Sequence, residues 1–169
     1  MRILIVTGEA SGDLHGAHLA KAIMALDPKA QLVGIGGALM RAAGVSLVPG
    51  VPQLDVMGLI GLSAIRAIVQ RVRAIRRVLK AEAWDLVVLI DNPGLNFHFA
   101  RVAKAAGRRV LYYIAPQVWA WRPGRMKWIQ RRVDHVVVIL PFEPELYRRA
   151  GVRCTFVGHP LLDSVAPHY

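Results

Sequence analysis

The chain has 169 residues, of which 54% are hydrophobic and 20% charged, and carries a formal net charge of +11. That length suits one domain burying roughly two-thirds of the surface its unfolded form would expose, and the composition excludes a disordered or fibrous protein. The positive excess asks for an anionic partner (nucleic acid, a phosphorylated substrate or an acidic membrane surface) without choosing among them.

The opening Met1-Arg2-Ile3-Leu4-Ile5-Val6 reads as a buried first strand rather than a signal peptide, because acidic Glu9 and Asp13 follow and no small-residue cleavage site does. Its apolar run, like those near 86–90 and 136–140, is about five residues long, far short of the ~20 that cross a bilayer as a helix. Strands are predicted at 3–7, 32–35, 46–48, 86–90, 110–114, 135–139 and 155–157. Helical periodicity fills the gaps at 14–26, 39–43, 63–81, 97–106, 124–132 and 143–150, with Gly44, Gly107 and Gly151 placed where a left-handed C-cap is favoured. This alternation predicts an α/β fold, a Rossmann-like, doubly wound and mostly parallel sheet of about seven strands. No repeat or linker divides it, so residues 1–169 are expected to form a single domain. The lone Cys154 excludes an intramolecular disulfide and leaves the cytoplasm as the expected compartment.

In such sheets ligands bind outside the carboxyl ends of the strands, which directs attention to three loops. Gly8-Glu9-Ala10-Ser11-Gly12-Asp13 joins the first strand to the first helix. Its glycines allow close backbone approach, and the helix start offers N–H groups to an anion. The spacing is neither a dinucleotide fingerprint nor a P-loop, and the same residues can equally shape a turn with Asp13 as a helix cap. Asp91-Asn92-Pro93-Gly94-Leu95-Asn96 follows the strand at 86–90, where a partly desolvated carboxylate suits general-base work. Asp91 is the strongest catalytic candidate, although Asp91 and Asn96 could also serve only as turn and cap residues. Gln117-Val118-Trp119-Ala120-Trp121-Arg122 follows the fifth strand and pairs flat apolar faces with cationic Arg122, Arg125 and Lys127. A sugar or lipid phosphate would suit it, as would simple packing of the indoles onto the domain.

The segment 65–80 reads as a basic amphipathic helix. Ile65, Ile68, Val69, Val72, Ile75, Val78 and Leu79 form its apolar stripe, and Arg66, Arg71, Arg73, Arg76, Arg77 and Lys80 its charged face. That face can lie on an anionic membrane or be merely solvated. The apolar, glycine-containing connection at 56–62 leans towards the membrane. His15 and His18 share a helix face without a third ligand at a recognisable spacing, so they read as ordinary polar residues and no metal or other cofactor is expected. Ser11 and Cys154 lack the surroundings of a nucleophile.

Taken together, GEASGD, VGIGGALMRAAG, VMGL, DNPGLN, APQVWAWRPGRMKWI, LPFEPELY and FVGHPLLD occur in an order that resembles the lipid-A-disaccharide synthase family. The resemblance implies an inverting glycosyltransferase of the two-domain GT-B type at the cytoplasmic face of the inner membrane of Gram-negative bacteria. Its substrates would be UDP-diacylglucosamine and lipid X, its products UDP and the lipid A disaccharide phosphate, with no metal and no nucleic acid. Asp91 matches the family's essential aspartate, the base for the acceptor hydroxyl. Substrate-binding positions are implied at Gly8, Glu9, Ala10, Ser11, Gly12, Asp13, Met57, Gly58, Asn96, Gln117, Trp119, Trp121, Arg122, Glu143 and His159. The chain departs from the family pattern at Gly61, at Gly94-Leu95 and at Ala115. Because the family is about twice as long, the chain is expected to be the acceptor-side half of the enzyme, inactive alone and lacking the donor domain. A related UDP-sugar epimerase and a basic lipid- or nucleic-acid-binding module are the rival readings.

Overall fold

The computed structural model describes residues 1–51, 62–117 and 124–162. Its strands are β1 (Arg2–Thr7), β2 (Gln31–Ile35), β3 (Ser46–Leu47), β4 (Leu86–Ile90), β5 (Val110–Tyr113), β6 (His135–Val138) and β7 (Cys154–Phe156). The helices are α1 (Ala10–Leu26), α2 (Ala38–Ala42), α3 (Leu62–Ala81), α4 (Pro93–Ala105), α5 (Gly124–Arg132) and α6 (Glu143–Arg149). Among the described residues the strands form one sheet in the order β3-β2-β1-β4-β5-β6-β7, every pair parallel. The expected Rossmann-like doubly wound sheet is therefore what this chain forms.

Parallel strands need helical crossovers, and those crossovers bury both sheet faces, which is why β1 and β4 are apolar almost throughout. Alternate residues divide between two cores. Leu4, Val6, Val87 and Leu89 pack with Ile75, Leu79 and Phe99 on one face. Ile3, Ile5, Val88 and Ile90 pack with Ala17, Ala20 and Met40 on the other. Small residues set the spacing of α1 and α2: a Cβ added at Gly16, Gly34 or Gly36 would stand 2.7, 2.6 or 2.3 Å from an atom of Met40, which is fully buried between them. Gly44, Gly107 and Gly151 have φ of +90°, +70° and +69°, the left-handed values expected after a helix.

Three expectations change. Helices α1 and α4 begin at Ala10 and Pro93, each four residues earlier than their apolar periodicity starts, because glycine and proline in a first turn hide a helix start that they do not prevent. Arg71, expected on the solvated face of α3, is only 1% exposed. It shares the stripe of Ile75 and Leu79 at four-residue spacing. Conversely, Ile65, Ile68 and Val69, expected on the buried stripe, are 59%, 37% and 40% exposed, so the described amino-terminal half of α3 turns apolar side chains outwards.

The chain runs from β1 outwards to β2 and β3, then returns across the sheet to β4 and continues the other way. The reversal opens a crevice above the carboxyl ends of β1 and β4, the usual ligand position in this architecture.

Candidate functional site

Register brings the two central loops together. Thr7 pairs with Ile90, so Gly8 and Asp91 leave the sheet side by side. A Cβ on Gly8 would lie 2.4 Å from Asn92 Nδ2, and glycine is what allows the second loop to come so close. Asn92 Nδ2 donates to Glu9 Oε1 at 2.9 Å and joins the loops directly.

Asp91 and Asn92 have φ of +49° and +39°, a left-handed pair without a glycine, which persists only where the surroundings hold it. Three bonds do so. The Tyr112 hydroxyl and Asn96 Nδ2 donate to the Asp91 carbonyl at 2.8 and 2.6 Å, and the Leu95 amide donates to Asn92 Oδ1 at 3.3 Å, capping α4 ahead of Pro93. Burial, reinforced by the Asp91 charge, pushes the Tyr112 hydroxyl well above its ordinary range, so it stays a donor. Asn96, fully buried, also donates to the Ile90 carbonyl at 2.9 Å. It ties the loop to the strand end from inside α4 instead of facing a ligand.

The Asp91 side chain is half-buried, and among the described residues its carboxylate accepts no hydrogen bond. Its electrostatic neighbour is His15 on α1. Burial lowers the His15 pKa, the Asp91 charge opposes that, and His18 and His159 add to the lowering. At neutral pH His15 is therefore an uncharged imidazole beside the carboxylate.

Asp13 is used differently. Its buried carboxylate accepts from the amides of Gly37, Leu39 and Met40 at 2.7, 3.0 and 3.1 Å, so it caps α2 from the neighbouring helix rather than its own. Together with Thr7, Gly8, Glu9, Ala10, Gly36 and Arg71 it walls a pocket of about 200 Å³ at the head of β1. Arg71 Nη1 donates to the Thr7 carbonyl at 3.3 Å. Burial draws its pKa down to about 10, which leaves it cationic at neutral pH.

The remaining sequence candidates lie apart from this pocket. Ser11 and Gln117 are exposed, and Gly12 packs against Thr7. Glu143, 1% exposed, accepts from the Leu140 amide at 3.0 Å, while the neighbouring Tyr147 hydroxyl donates to the Pro116 carbonyl at 3.0 Å and steadies the chain leaving β5. His159 Nδ1 accepts from the Leu161 amide at 3.2 Å. Burial and Glu143 push the Cys154 thiol up to about 11, unlike an activated nucleophile. Met57, Gly58, Gly61, Trp119, Trp121 and Arg122 lie outside the described residues. Among the described residues no group of three or more His, Cys, Asp or Glu side chains could hold a metal ion, and no helix is long and apolar enough to cross a membrane.

Sequence reasoning passed over Arg71, Asn92 and the Asp91–His15 neighbourhood. Four-residue spacing to Ile75 could have revealed the first and the Asn-Pro step the second, whereas only the fold brings His15 to Asp91.

Solved structures of remote sequence share the fold. UDP-GlcNAc 2-epimerase from Methanocaldococcus jannaschii superposes with a TM-score of 0.65 at 14% identity, covering 97% of this chain and 47% of that one. An S. aureus MnaA–UDP co-structure gives 0.65 at 13%, covering 98% and 46%. Much nearer in sequence is the lipid-A-disaccharide synthase of Geobacter metallireducens, 50% identical over 167 residues, which are 98% of this chain and 44% of that protein. The Coxiella burnetii enzyme is 46% identical over 166 residues, again 98% and 44%. This chain thus spans less than half the length of these relatives. The family model described as Lipid-A-disaccharide synthetase matches residues 3–169, and the chain belongs to that family.

Proposed function

We propose that the complete protein carrying this chain is an inverting glycosyltransferase that joins UDP-diacylglucosamine to lipid X, with residues 1–169 as its acceptor-side domain. The observation that carries this reading is a carboxylate, Asp91, held by a bonded left-handed turn beside the glycine loop, at the crevice of a chain of this family. In the proposed reaction Asp91 takes the proton of the acceptor hydroxyl. The oxygen bonds to the anomeric carbon from the face opposite the leaving group, and UDP departs with the electrons of the broken C–O bond. Inversion follows from that single displacement. Tyr112 and Asn96 keep Asp91 in position, as a general base requires. The donor nucleotide belongs, in this reading, to a carboxyl-terminal domain outside residues 1–169, and no cofactor is assigned. Incubating the full-length protein with both substrates should yield the disaccharide phosphate and UDP in equal amounts. Release of an epimerised monosaccharide instead would replace transfer by the epimerase reading.

The same proposal seats the protein on the cytoplasmic face of the inner membrane through α3. Exposed Ile65, Ile68 and Val69 lie on the same helix as exposed Arg66, Arg73, Arg76 and Arg77, the combination that binds an anionic bilayer surface. Replacing Arg66, Arg73 and Arg77 with Gln should weaken binding to phosphatidylglycerol vesicles by ~1 kcal/mol per charge and flatten its salt dependence. Sedimentation showing equal binding by the triple variant would assign those charges to another role.

A further inference from the structure

The bulkiest fully buried side chain among the described residues belongs to a cation, Arg71. Taking a guanidinium out of water is costly, and proteins retain such groups where a pairing or a function needs them. Arg71 reaches from α3 to the end of β1, donates to the Thr7 carbonyl and lines the pocket of about 200 Å³ formed with Gly8, Ala10 and Gly36. We propose that this pocket binds the phosphate of a sugar phosphate and that Arg71 is its anion-binding residue.

Two further features of the pocket agree with an anion. The first-turn amides of α1, a helix of 17 residues beginning at the lining residue Ala10, have no intrahelical acceptor, and no side chain caps them. The two carboxylates on the wall are both engaged: Asp13 accepts three backbone amides and Glu9 accepts from Asn92. A guanidinium fork beside convergent amides suits the several oxygens of a phosphate better than an isolated hydroxyl. The identity of the sugar rests on the proposed transferase reaction, and two sources share the chemistry: the phosphomonoester of the acceptor and the diphosphate of the donor.

NMR of the chain labelled with ¹⁵N at its arginine side chains tests this, using N-acetylglucosamine 1-phosphate, UDP and uncharged N-acetylglucosamine as probes. The sugar phosphate should shift the Arg71 Nε resonance and the amides of Ala10 to Gly12, while the uncharged sugar leaves them in place. Arg71→Met should weaken sugar-phosphate binding by at least about tenfold, with Arg71→Lys between Met and wild type. A thermal melt of Arg71→Met separates binding from structure: a midpoint at or above that of wild type agrees with an arginine kept for a ligand. A stronger response to the monoester assigns the pocket to the acceptor, and a stronger response to UDP assigns it to the donor. Sugar-phosphate binding that is equal in Arg71→Met, or that shifts only resonances remote from Arg71, would overturn the proposal. If the Met variant does not fold, the Lys variant and the wild-type Arg71 resonance still decide the question. Transfer by the full-length protein is measured separately, so failure of the pocket and failure of the transferase reading give different results.

Discussion

Two carboxylates stand at the head of this sheet and do opposite work. Asp13, after β1, is buried with both oxygens bonded to backbone amides of another segment; Asp91, after β4, is half-buried with its backbone restrained and its carboxylate unbonded among the described residues. The contrast teaches that in a crevice the saturated acid is scaffold and the unsaturated one is the reagent. Asp13 organises residues 37–40 into the wall of the pocket, and Asp91 is offered to whatever enters.

The comparison breaks first at Asp91. Asp91→Asn in the full-length protein should lower kcat by at least about a hundredfold, because a positioned general base contributes roughly 10²–10⁴. The melting temperature should hardly move, since the bonds that hold this turn use the Asp91 carbonyl, which the substitution keeps. A variant near the wild-type rate would remove Asp91 from the chemistry.

Asp13→Ala should show the reverse profile. It strands three buried or part-buried amides, and hydrogen bonds to a charged group contribute about 1.5–3 kcal/mol each, with partial recovery through water. Urea denaturation of the chain should therefore show a loss of roughly 3 kcal/mol. A loss below about 1 kcal/mol would mean that α2 does not depend on this cap.

The fold was largely legible in the sequence because its signals are local. Five-residue apolar runs separated by helical periods mark each strand of a parallel sheet, and Gly44, Gly107 and Gly151 mark helix ends by a backbone conformation other residues avoid. The crevice followed from Asp91 and Gly8 alone, once strand ends are taken as ligand positions. What escaped was set by contacts between distant segments. Asp13 looked like the cap of its own helix because nothing local announces that α2 lies against α1. Asn96 looked like a ligand or turn residue, yet from within α4 it reaches back to β4. Arg71 was assigned to the charged face because charge outweighed spacing in the reading of α3. Gly94, where the chain departs from its family's pattern, is exposed, and a Cβ there would meet only Asn92 Oδ1 at 3.6 Å, so the loop geometry accommodates either residue.

The smallest expected effect tests whether the two loops communicate. His15 stands on the helix that follows the glycine loop, and its pKa is set by burial, which lowers it, against the Asp91 charge, which raises it, with His18 and His159 lowering it further. Net lowering means that between the folded pKa and the unfolded value of about 6.5 the unfolded chain binds the extra proton. The contribution of His15 to stability is therefore present above that window and is lost as pH falls through it. Removing the Asp91 charge should lower the His15 pKa further, because the one opposing influence disappears while burial and the neighbouring imidazoles remain. Following the His15 ring resonances from pH 4 to 8 in wild type and Asp91→Asn should show the variant titrating at lower pH. The decline in stability on acidification should shift with it, and His15→Gln should flatten it. Identical His15 titration curves in the two proteins would mean that the carboxylate acts on the bound hydroxyl alone and that the α1 side of the crevice is electrostatically separate from it.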